Sequence, residues 1–304
     1  MKKDIVTLWD LTKEDFDSLF RRSLELKIRL KQGTRDTPLT GKSLGLIFEK
    51  ASTRTRISFE TAMIQLGGHP IFISVKDTQL ARDEPVRDTA RVLSRYLDGL
   101  VMRTYSQGFI EEMAKAASIP VINGLSDLYH PCQILSDILT VMEKKGTYGG
   151  LKIAWVGDGN NMAHSWIEAA AILGLQLVLA CPDGYHPDPS VLNRALKESC
   201  GEITVTADPE EAVSDADVIN TDVWASMGQE GEAEERFKAF EKYQINSDLV
   251  AKAKKDAIVM HCLPAHRGEE ITDEVLEGEH SVVWDQAENK MHIHKAILES
   301  LLKE

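Results

Sequence analysis

The sequence lacks long hydrophobic runs and an excess of positive charge. No apolar stretch approaches the roughly 18 residues that a membrane-spanning helix needs, and the first residues, MKKDIVTLWDL, have no long apolar core like that of a signal peptide. We therefore expect a cytoplasmic protein with no membrane partner. The 304 residues include 35 Lys and Arg but 48 Asp and Glu, which gives a net charge of −13. General nucleic-acid binding needs an extended basic surface, so we expect no such partner either.

Disulfide and metal-binding patterns are missing as well. The four cysteines form no CxxC pair and have no metal-ligand spacing, so we expect reduced thiols. His261 and His266 are five residues apart, and His292 and His294 are two apart, without a convincing carboxylate to complete a zinc site. We expect no metal and no cofactor. The cysteines are Cys132, Cys181, Cys200 and Cys262.

What the sequence does contain is an alternation of short apolar runs and amphipathic stretches along its whole length. This alternation is typical of parallel α/β sheets. Strands are predicted at residues 43–48, 70–74, 99–103, 119–123, 151–156, 175–180, 203–205, 217–220 and 257–260. Helices are predicted near residues 11–31, 53–66, 85–96, 107–117, 131–143 and 287–302.

Turn residues interrupt this alternation once, at KKGTYGG, residues 144–150. We therefore predict two α/β domains, residues 1–147 and 148–304, each a parallel sheet flanked by helices, with the last helix packing back on the first domain. Ligands of open α/β sheets bind beyond the carboxyl ends of the strands. Six polar clusters fall at such ends, which predicts an active-site cleft between the domains. The clusters are residues 52–55, 103–104, 123–133, 157–161, 222–228 and 261–264.

The first of these clusters, STRT at residues 52–55, follows a buried strand and opens a helix. Serine and threonine often cap helices, so a capped and solvated first turn is one interpretation. The first turn of a helix normally favours carboxylates, because the helix dipole is positive there. Arg54 and Arg56 oppose that preference, and a negative ligand would remove the conflict. We favour a phosphate-like ligand over capping alone.

Other clusters have competing interpretations. VGDGNN, residues 156–161, resembles the start of a dinucleotide-binding fingerprint, with Asp183 at a plausible distance for a ribose contact. Met162 replaces the third glycine, so a nicotinamide-dependent oxidoreductase is the weaker alternative. Cys262 has no companions in a recognisable nucleophile pattern, and we expect it to line a pocket. Residues 230–236, EGEAEER, are interpreted as a solvated surface helix.

Four stretches together closely resemble the ornithine carbamoyltransferases, in the right order and over nearly the whole chain. STRTR and the HPxQ element are shared across carbamoyltransferases, whereas the SMG loop and HCLPAHRG mark the ornithine branch. The stretches are STRTR (52–56), VINGLSDLYHPCQ (121–133), DVWASMG (222–228) and HCLPAHRG (261–268).

This resemblance implies transfer of the carbamoyl group of carbamoyl phosphate to the δ-amine of L-ornithine, giving L-citrulline and phosphate, as in arginine biosynthesis or the urea cycle. Arg54, Arg103, His130 and Cys262 are the catalytic residues that it implies. It assigns carbamoyl phosphate to Ser52, Thr53, Arg54, Thr55, Gln79, Arg103, His130, Gln133, Cys262, Leu263 and Lys290. It assigns ornithine to Asn161, Asp222, Ser226 and Met227.

One position departs from the family pattern. Lys290 stands where the family generally has an arginine on carbamoyl phosphate, so the charge is kept but the planar, bidentate fork is lost. The resemblance further implies a homotrimer with active sites near subunit contacts. A carbamoyltransferase for another amine, such as putrescine, and a non-catalytic anion-binding module remain as further alternatives.

Overall fold

The computed structural model describes residues 3–82, 84–225, 231 and 233–303, and the chain divides into two units. Unit 1 comprises Met1–Leu139 and Glu288–Glu304, and unit 2 comprises Thr140–Ala287. Among the described residues, no helix combines the length and the apolar character needed to cross a bilayer.

Unit 1 contains a sheet of four parallel strands. They are β1 (Ser43–Phe48), β2 (His69–Ser74), β3 (Gly99–Arg103) and β4 (Val121–Leu125), in the order β2-β1-β3-β4. The central strands β1 and β3 are almost entirely apolar because both of their faces are buried, as a helix-covered parallel sheet requires. The edge strand β2 is half-exposed.

Unit 2 contains a sheet of five parallel strands. They are β5 (Lys152–Val156), β6 (Gln176–Ala180), β7 (Glu202–Thr206), β8 (Val218–Thr221) and β9 (Ile258–His261), in the order β7-β6-β5-β8-β9. Its core includes Val156, Ile219 and Val259 from the sheet together with Trp224 and Phe240. The prediction of two parallel sheets flanked by helices is therefore confirmed.

The described residues include twelve α-helices that connect these strands or flank the two sheets. They are α1 (Lys13–Lys31), α2 (Thr53–Gln65), α3 (Val86–Leu93), α4 (Gln107–Ala116), α5 (Pro131–Lys145), α6 (Asn161–Leu173), α7 (Pro189–Glu198), α8 (Pro209–Val213), α9 (Ala233–Phe240), α10 (Ser247–Val250), α11 (Asp273–Leu276) and α12 (Val283–Leu302). The last of them begins four residues earlier than the sequence pattern predicted.

Candidate active site

The predicted anion turn of unit 1 connects β1 to α2. Ser52 is the N-cap of α2, and its hydroxyl accepts a hydrogen bond from the Thr55 amide at 3.1 Å. Capping is therefore real, but it leaves the two arginines to be explained. Arg56 donates from Nε to Glu60 at 2.9 Å, and its guanidinium lies 3.6 Å from the centroid of the Phe72 ring. Arg54 is half-buried and has no hydrogen bond or counter-ion within the described residues, so it remains the cation available to a ligand.

The end of β3 lies beside the end of β1. Arg103, the last residue of β3, is buried, and its carbonyl accepts from the Glu49 amide at 2.8 Å. The Glu49 carboxylate in turn accepts from the Thr104 hydroxyl and from the Tyr105 amide at 3.2 Å. These bonds fix the two strand ends next to each other, so Arg103 and the anion turn leave the same edge of the sheet.

The start of α5 and the side of α12 supply a third group in unit 1. Lys290 donates from Nζ to Oε1 of Gln133 at 2.8 Å, and Gln133 donates from Nε2 to Asp137 at 2.8 Å. His130, Gln133 and Lys290 are each less than 5% exposed, at 4%, 2% and 4%. The structure therefore brings Lys290 to a residue of the predicted carbamoyl-phosphate set, although the two are 157 positions apart.

This third group is electrostatically positive. Burial, followed by the charges of Lys290 and Arg103 and by the neighbouring His294, holds the pKa of His130 well below its usual value. His130 is consequently a neutral imidazole near neutral pH and can donate one N–H bond. A neutral donor beside two cations, in a chain with a net charge of −13, is an environment that favours an anion.

A cavity of about 490 Å³ opens against the β1–α2 turn of unit 1. Its lining includes Ser52 and Thr53 together with the basic side chains of Lys50, Arg56 and Lys76. The lining does not include Arg103, His130, Gln133 or Lys290, so this cavity covers only the β1–α2 side of the predicted site. Gln79 lies on an exposed 3-10 turn, Gln79–Arg82, after β2, and its predicted contact with carbamoyl phosphate stays a prediction.

In unit 2, Asp222 follows β8 and is held by three donors. Its Oδ1 accepts from the Val223 amide at 2.9 Å and from the Cys262 thiol at 3.1 Å, and its Oδ2 accepts from Asn160 at 3.2 Å. Asn161, at the first position of α6, is half-buried directly after Asn160. The predicted residues Asp222 and Cys262 therefore bond each other, and Asn160, which the sequence did not single out, connects Asp222 to the start of α6.

Asn160 also bears on the dinucleotide alternative. Its Oδ1 accepts from the amides of Met162 at 2.9 Å and Ala163 at 3.3 Å. In a dinucleotide-binding turn the amides at the start of this helix bind the pyrophosphate. Here the side chain of the cap residue Asn160 already accepts from two of these amides, which argues against pyrophosphate binding at this turn.

The loop after β9 is fixed by a buried histidine. The Leu263 amide donates to Nδ1 of His261 at 2.9 Å, so Nε2 carries the proton and donates to Glu270 at 2.9 Å. Both His261 and Glu270 are buried. The Leu263 amide is therefore already bonded within the protein, and the predicted contacts of Cys262 and Leu263 with carbamoyl phosphate stay predictions.

A buried ion pair lies next to Asp222. Arg236 on α9 donates from Nη1 to Asp158 at 2.9 Å and to the Trp224 carbonyl at 2.8 Å. The interpretation of residues 230–236 as a solvated helix is wrong at Arg236, which is only 6% exposed. The aromatic residue Phe240, four positions later on the same helix, packs against Trp224 and was the available signal that this face is buried.

Among the described residues, the strand ends of unit 2 carry two carboxylates, those of Asp158 and Asp222, but one arginine, Arg236. Burial raises the pKa of Asp158, Arg236 counteracts that effect, and the nearby Asp222 raises the pKa further. Arg236 pairs with Asp158, whereas Asp222 accepts from neutral donors, so two carboxylates and one guanidinium leave a net negative charge at the strand ends of unit 2. Such a site favours a cationic ligand.

Among the described residues, the ligand atoms of Asp222, His261 and Cys262 lie within 4.8 Å of one another. Each of these side chains is already hydrogen-bonded within the protein, and the absence of a metal stays an expectation. All four cysteines are free thiols, as predicted. Ser226 and Met227, predicted to contact ornithine, lie outside the described residues.

Two family models match the chain in sequence order. Residues 3–143 match the carbamoyl-P binding domain of the aspartate/ornithine carbamoyltransferases, and residues 149–301 match their Asp/Orn binding domain. An ornithine carbamoyltransferase of Geobacter metallireducens is 60% identical over 303 residues, covering 100% of both chains. One of Carboxydothermus hydrogenoformans is 55% identical over 303 residues, covering 99% of this chain and 97% of the relative.

Solved structures agree with these sequence matches. Ornithine carbamoyltransferase from Pyrococcus furiosus is 52% identical and superposes with a TM-score of 0.94, covering 98% of this chain and 96% of that one. The anabolic enzyme from Campylobacter jejuni is 42% identical, with a TM-score of 0.93 and 99% coverage of both chains. On the two domain matches and on identity above one half along the full length, the chain belongs to the aspartate/ornithine carbamoyltransferase family.

Proposed function

We propose that this protein transfers the carbamoyl group of carbamoyl phosphate to the δ-amine of L-ornithine, giving L-citrulline and phosphate. The observation that carries this proposal is the opposite charge at the strand ends of the two units. Unit 1 gathers Arg103 and Lys290 around the neutral His130, whereas unit 2 gathers Asp158 and Asp222. Carbamoyl phosphate is an anion and ornithine brings two amino groups, so each charge set suits one substrate.

In this proposal the β1–α2 turn binds the phosphate group. The hydroxyls of Ser52, Thr53 and Thr55 and the start of α2 are oriented donors, and Arg54 supplies a charge without a counter-ion among the described residues. Phosphate is the leaving group, so these donors also stabilise the charge that it gains as the C–O bond breaks. Arg103 bridges phosphate and carbonyl.

The carbonyl oxygen of carbamoyl phosphate gains negative charge when the amine attacks. A neutral His130 donates an N–H bond, and Arg103 adds charge to the same oxygen. Donors that are fixed before the reaction stabilise this oxygen, and losing one typically costs about 10²–10³ in rate. Gln133 is oriented by Lys290 and Asp137, and it accepts or donates at the carbamoyl amide. The carbonyls of Cys262 and Leu263 are proposed acceptors for the carbamoyl NH₂ group.

Asp222 is the proposed partner of the α-ammonium of ornithine, and Asn161 of its carboxylate. Ser226 and Met227 complete this set as predictions from the sequence. The δ-amine, with a pKa near 10.4 if it is lysine-like, must lose a proton before it attacks. Positive charge near the amine would favour its neutral form, because like charge and desolvation both lower the pKa of an amine.

The proposal is tested by incubating the protein with carbamoyl phosphate and either L-ornithine or putrescine, and measuring citrulline, carbamoylputrescine and phosphate. We expect citrulline and phosphate in equal amounts, with putrescine a poor substrate because it lacks the carboxylate that Asn161 would bind. Faster reaction with putrescine would assign the chain to the sister activity. Carbamoyl-phosphate binding without transfer to either amine would indicate an anion-binding module.

We further propose a cytoplasmic homotrimer that acts in arginine biosynthesis, with domain limits at 1–147 and 148–304 and with the last helix packing back on the first domain. Unit 1 exposes a group of large apolar side chains on α2 and the edge strand β2, which supports self-association. Light scattering coupled to size exclusion measures the assembly, for which we expect three times the chain mass of 33.9 kDa. The group comprises Ile57 (52% exposed), Ile64 (59%), Ile71 (46%) and Phe72 (37%).

A further inference from the structure

A buried histidine on α12 contacts the helix that begins at the anion turn. His294 is fully buried, and its Nδ1 lies 2.9 Å from the hydroxyl of Ser58 on α2. The Ser58 hydroxyl is also 3.1 Å from the carbonyl of Thr55, in the first turn of α2. The imidazole of His294 stacks on Phe59 with ring centroids 3.6 Å apart and planes inclined by 10°. These contacts fix both the position and the orientation of the ring.

Packing alone does not explain why a histidine occupies position 294. Its Nε2 is buried and has no hydrogen-bond partner within the described residues. Burial and the neighbouring Lys290 keep the pKa of His294 well below its usual value, so the ring is neutral. An apolar aromatic would stack on Phe59 equally well and would leave no buried nitrogen unsatisfied. The cost of burying this imidazole therefore calls for a benefit elsewhere, and the Ser58 contact is the candidate.

Lys290 and His294 are four residues apart and share one face of α12. Lys290 reaches Gln133 at the start of α5, and His294 reaches Ser58 at the start of α2. One face of one helix thus bonds to two elements that carry proposed carbamoyl-phosphate ligands. Donors that bind a transferring group must keep their geometry to within a fraction of an ångström, and neighbouring side chains supply that rigidity.

We propose that His294 is a positioning residue for carbamoyl phosphate: through Ser58 it fixes the first turn of α2, from which Ser52, Arg54 and Thr55 contact the phosphate. This role rests on the proposed function of that turn and adds a residue that contacts no substrate. Nothing local in the sequence indicates it, since Ser58 and His294 are 236 positions apart.

Two single variants and their combination test the contact. His294→Phe keeps an aromatic ring against Phe59 but removes the bond to Ser58, and Ser58→Ala removes the same bond from the other side. We expect each to weaken binding of inorganic phosphate, measured by calorimetry, and to raise the KM for carbamoyl phosphate, by about three- to tenfold. The double variant should be no weaker than either single one, because all three lack the same bond. The KM for ornithine should stay within about twofold.

Two further variants separate positioning from packing. His294→Asn places an amide near the former Nδ1 without the ring, and we expect it to recover most of the phosphate affinity that His294→Phe loses. Ser23→Ala is the matched control, because Ser23 is buried in α1 and its hydroxyl also bonds a backbone carbonyl, that of Leu19 at 2.7 Å. It should leave phosphate affinity unchanged.

Unchanged phosphate affinity in folded His294→Phe and Ser58→Ala, or losses that add in the double variant, would overturn the positioning role and leave His294 as a packing residue. An Asn variant weaker than the Phe variant would also overturn it, since ring stacking would then matter more than the bond. Citrulline formation by the wild type tests the proposed function separately. A wild type that makes no citrulline would refute that function, while phosphate binding would still decide the role of His294.

Discussion

The two sheets of this protein have the same architecture and opposite charge at their strand ends. In unit 1, Lys290 bonds the neutral Gln133, and Arg54 has no counter-ion among the described residues. In unit 2, Asp158 pairs with Arg236, and Asp222 accepts from the neutral donors Asn160 and Cys262. The carboxyl edge of a parallel sheet therefore specifies where a ligand binds, and the side chains that loops and helices bring to that edge specify its charge.

The largest expected effect is a loss of stability when the buried Arg236–Asp158 pair of unit 2 is disrupted. Arg236→Met leaves the carboxylate of Asp158 buried without its guanidinium, which typically costs about 3–5 kcal/mol of stability. Urea denaturation measures this loss. Asp158→Asn combined with Arg236→Met leaves no unpaired charge and should recover part of it. If the double variant were less stable than Arg236→Met, the pairing would not be the source of the effect.

The next largest effect belongs to the anion turn. Arg54→Ala removes the charged donor proposed for the phosphate, and kcat/KM for carbamoyl phosphate should fall by about 10²-fold. The matched control is Arg56→Ala, two residues later in the same helix, because Arg56 already pairs with Glu60 and stacks on Phe72. We expect kcat/KM of the control to fall by less than about threefold, because the Arg56 charge is already engaged and its exposed ion pair contributes little. Equal losses in the two variants would make the turn a general basic surface.

The amine side of the comparison is tested at Asp222. Asp222→Asn keeps the shape but removes the charge, which weakens a charge-assisted bond of about 1.5–3 kcal/mol, so the KM for ornithine should rise at least tenfold. Phosphate binding without ornithine should barely change. Asp183→Asn is the control, since that carboxylate belongs to unit 2 but is 97% exposed. A similar change in both variants would mean that only the net charge of the unit matters.

Acid should weaken unit 1 through its buried histidines. The folded pKa values of His130 and His294 lie below the value of about 6.5 in the unfolded chain, so below pH 6.5 the unfolded state binds more protons than the folded state. The free energy of unfolding therefore falls as the pH falls from 6.5, by up to about 1.4 kcal/mol per pH unit for each histidine. His294→Phe should reduce that slope by one such contribution. Urea titrations at pH 7, 6 and 5 measure it, and an unchanged slope would contradict the buried, neutral state.

The smallest expected effect concerns the lysine at 290. Lys290→Arg restores the planar fork, so the KM for carbamoyl phosphate should stay the same or fall by up to about threefold. Lys290→Met removes the charge and the bond to Gln133, and that KM should rise. Identical values in the wild type and both variants would show that this side chain has no influence on carbamoyl phosphate.

Sequence reasoning recovered the strands because their signal is local. Residues 44–48 are apolar with turn residues beyond both ends, and the structure places β1 at Ser43–Phe48. The start of α12 was predicted at 287, whereas the helix begins at Val283. Its first turn carries Trp284, which is 57% exposed, so the apolar pattern there does not follow the buried face. Helix periodicity fails where a large apolar residue faces solvent.

Part of the candidate site could be predicted because its signal is also local in the sequence. The conflict between Arg54 and the helix dipole can be read within five residues, and it predicts an anion at this turn from the sequence alone. Long-range partners leave no such signal: Arg236 lies in a charged run that is typical of a solvated surface, and only the tertiary structure brings it to Asp158. Family resemblance assigned both Gln133 and Lys290 to carbamoyl phosphate, but their hydrogen bond was not predicted, since no local pattern connects two residues that far apart.

The discontinuity of unit 1 has a consequence for synthesis on the ribosome. Unit 2 is one continuous segment, Thr140–Ala287, whereas unit 1 needs residues from Glu288 onwards, which include Lys290 and His294. Domains tend to fold in the order in which they are translated. A growing chain can therefore complete unit 2 before unit 1, which still waits for α12. A chain that ended before Glu288 would keep every residue of unit 2 but would lack the Lys290 and His294 of unit 1.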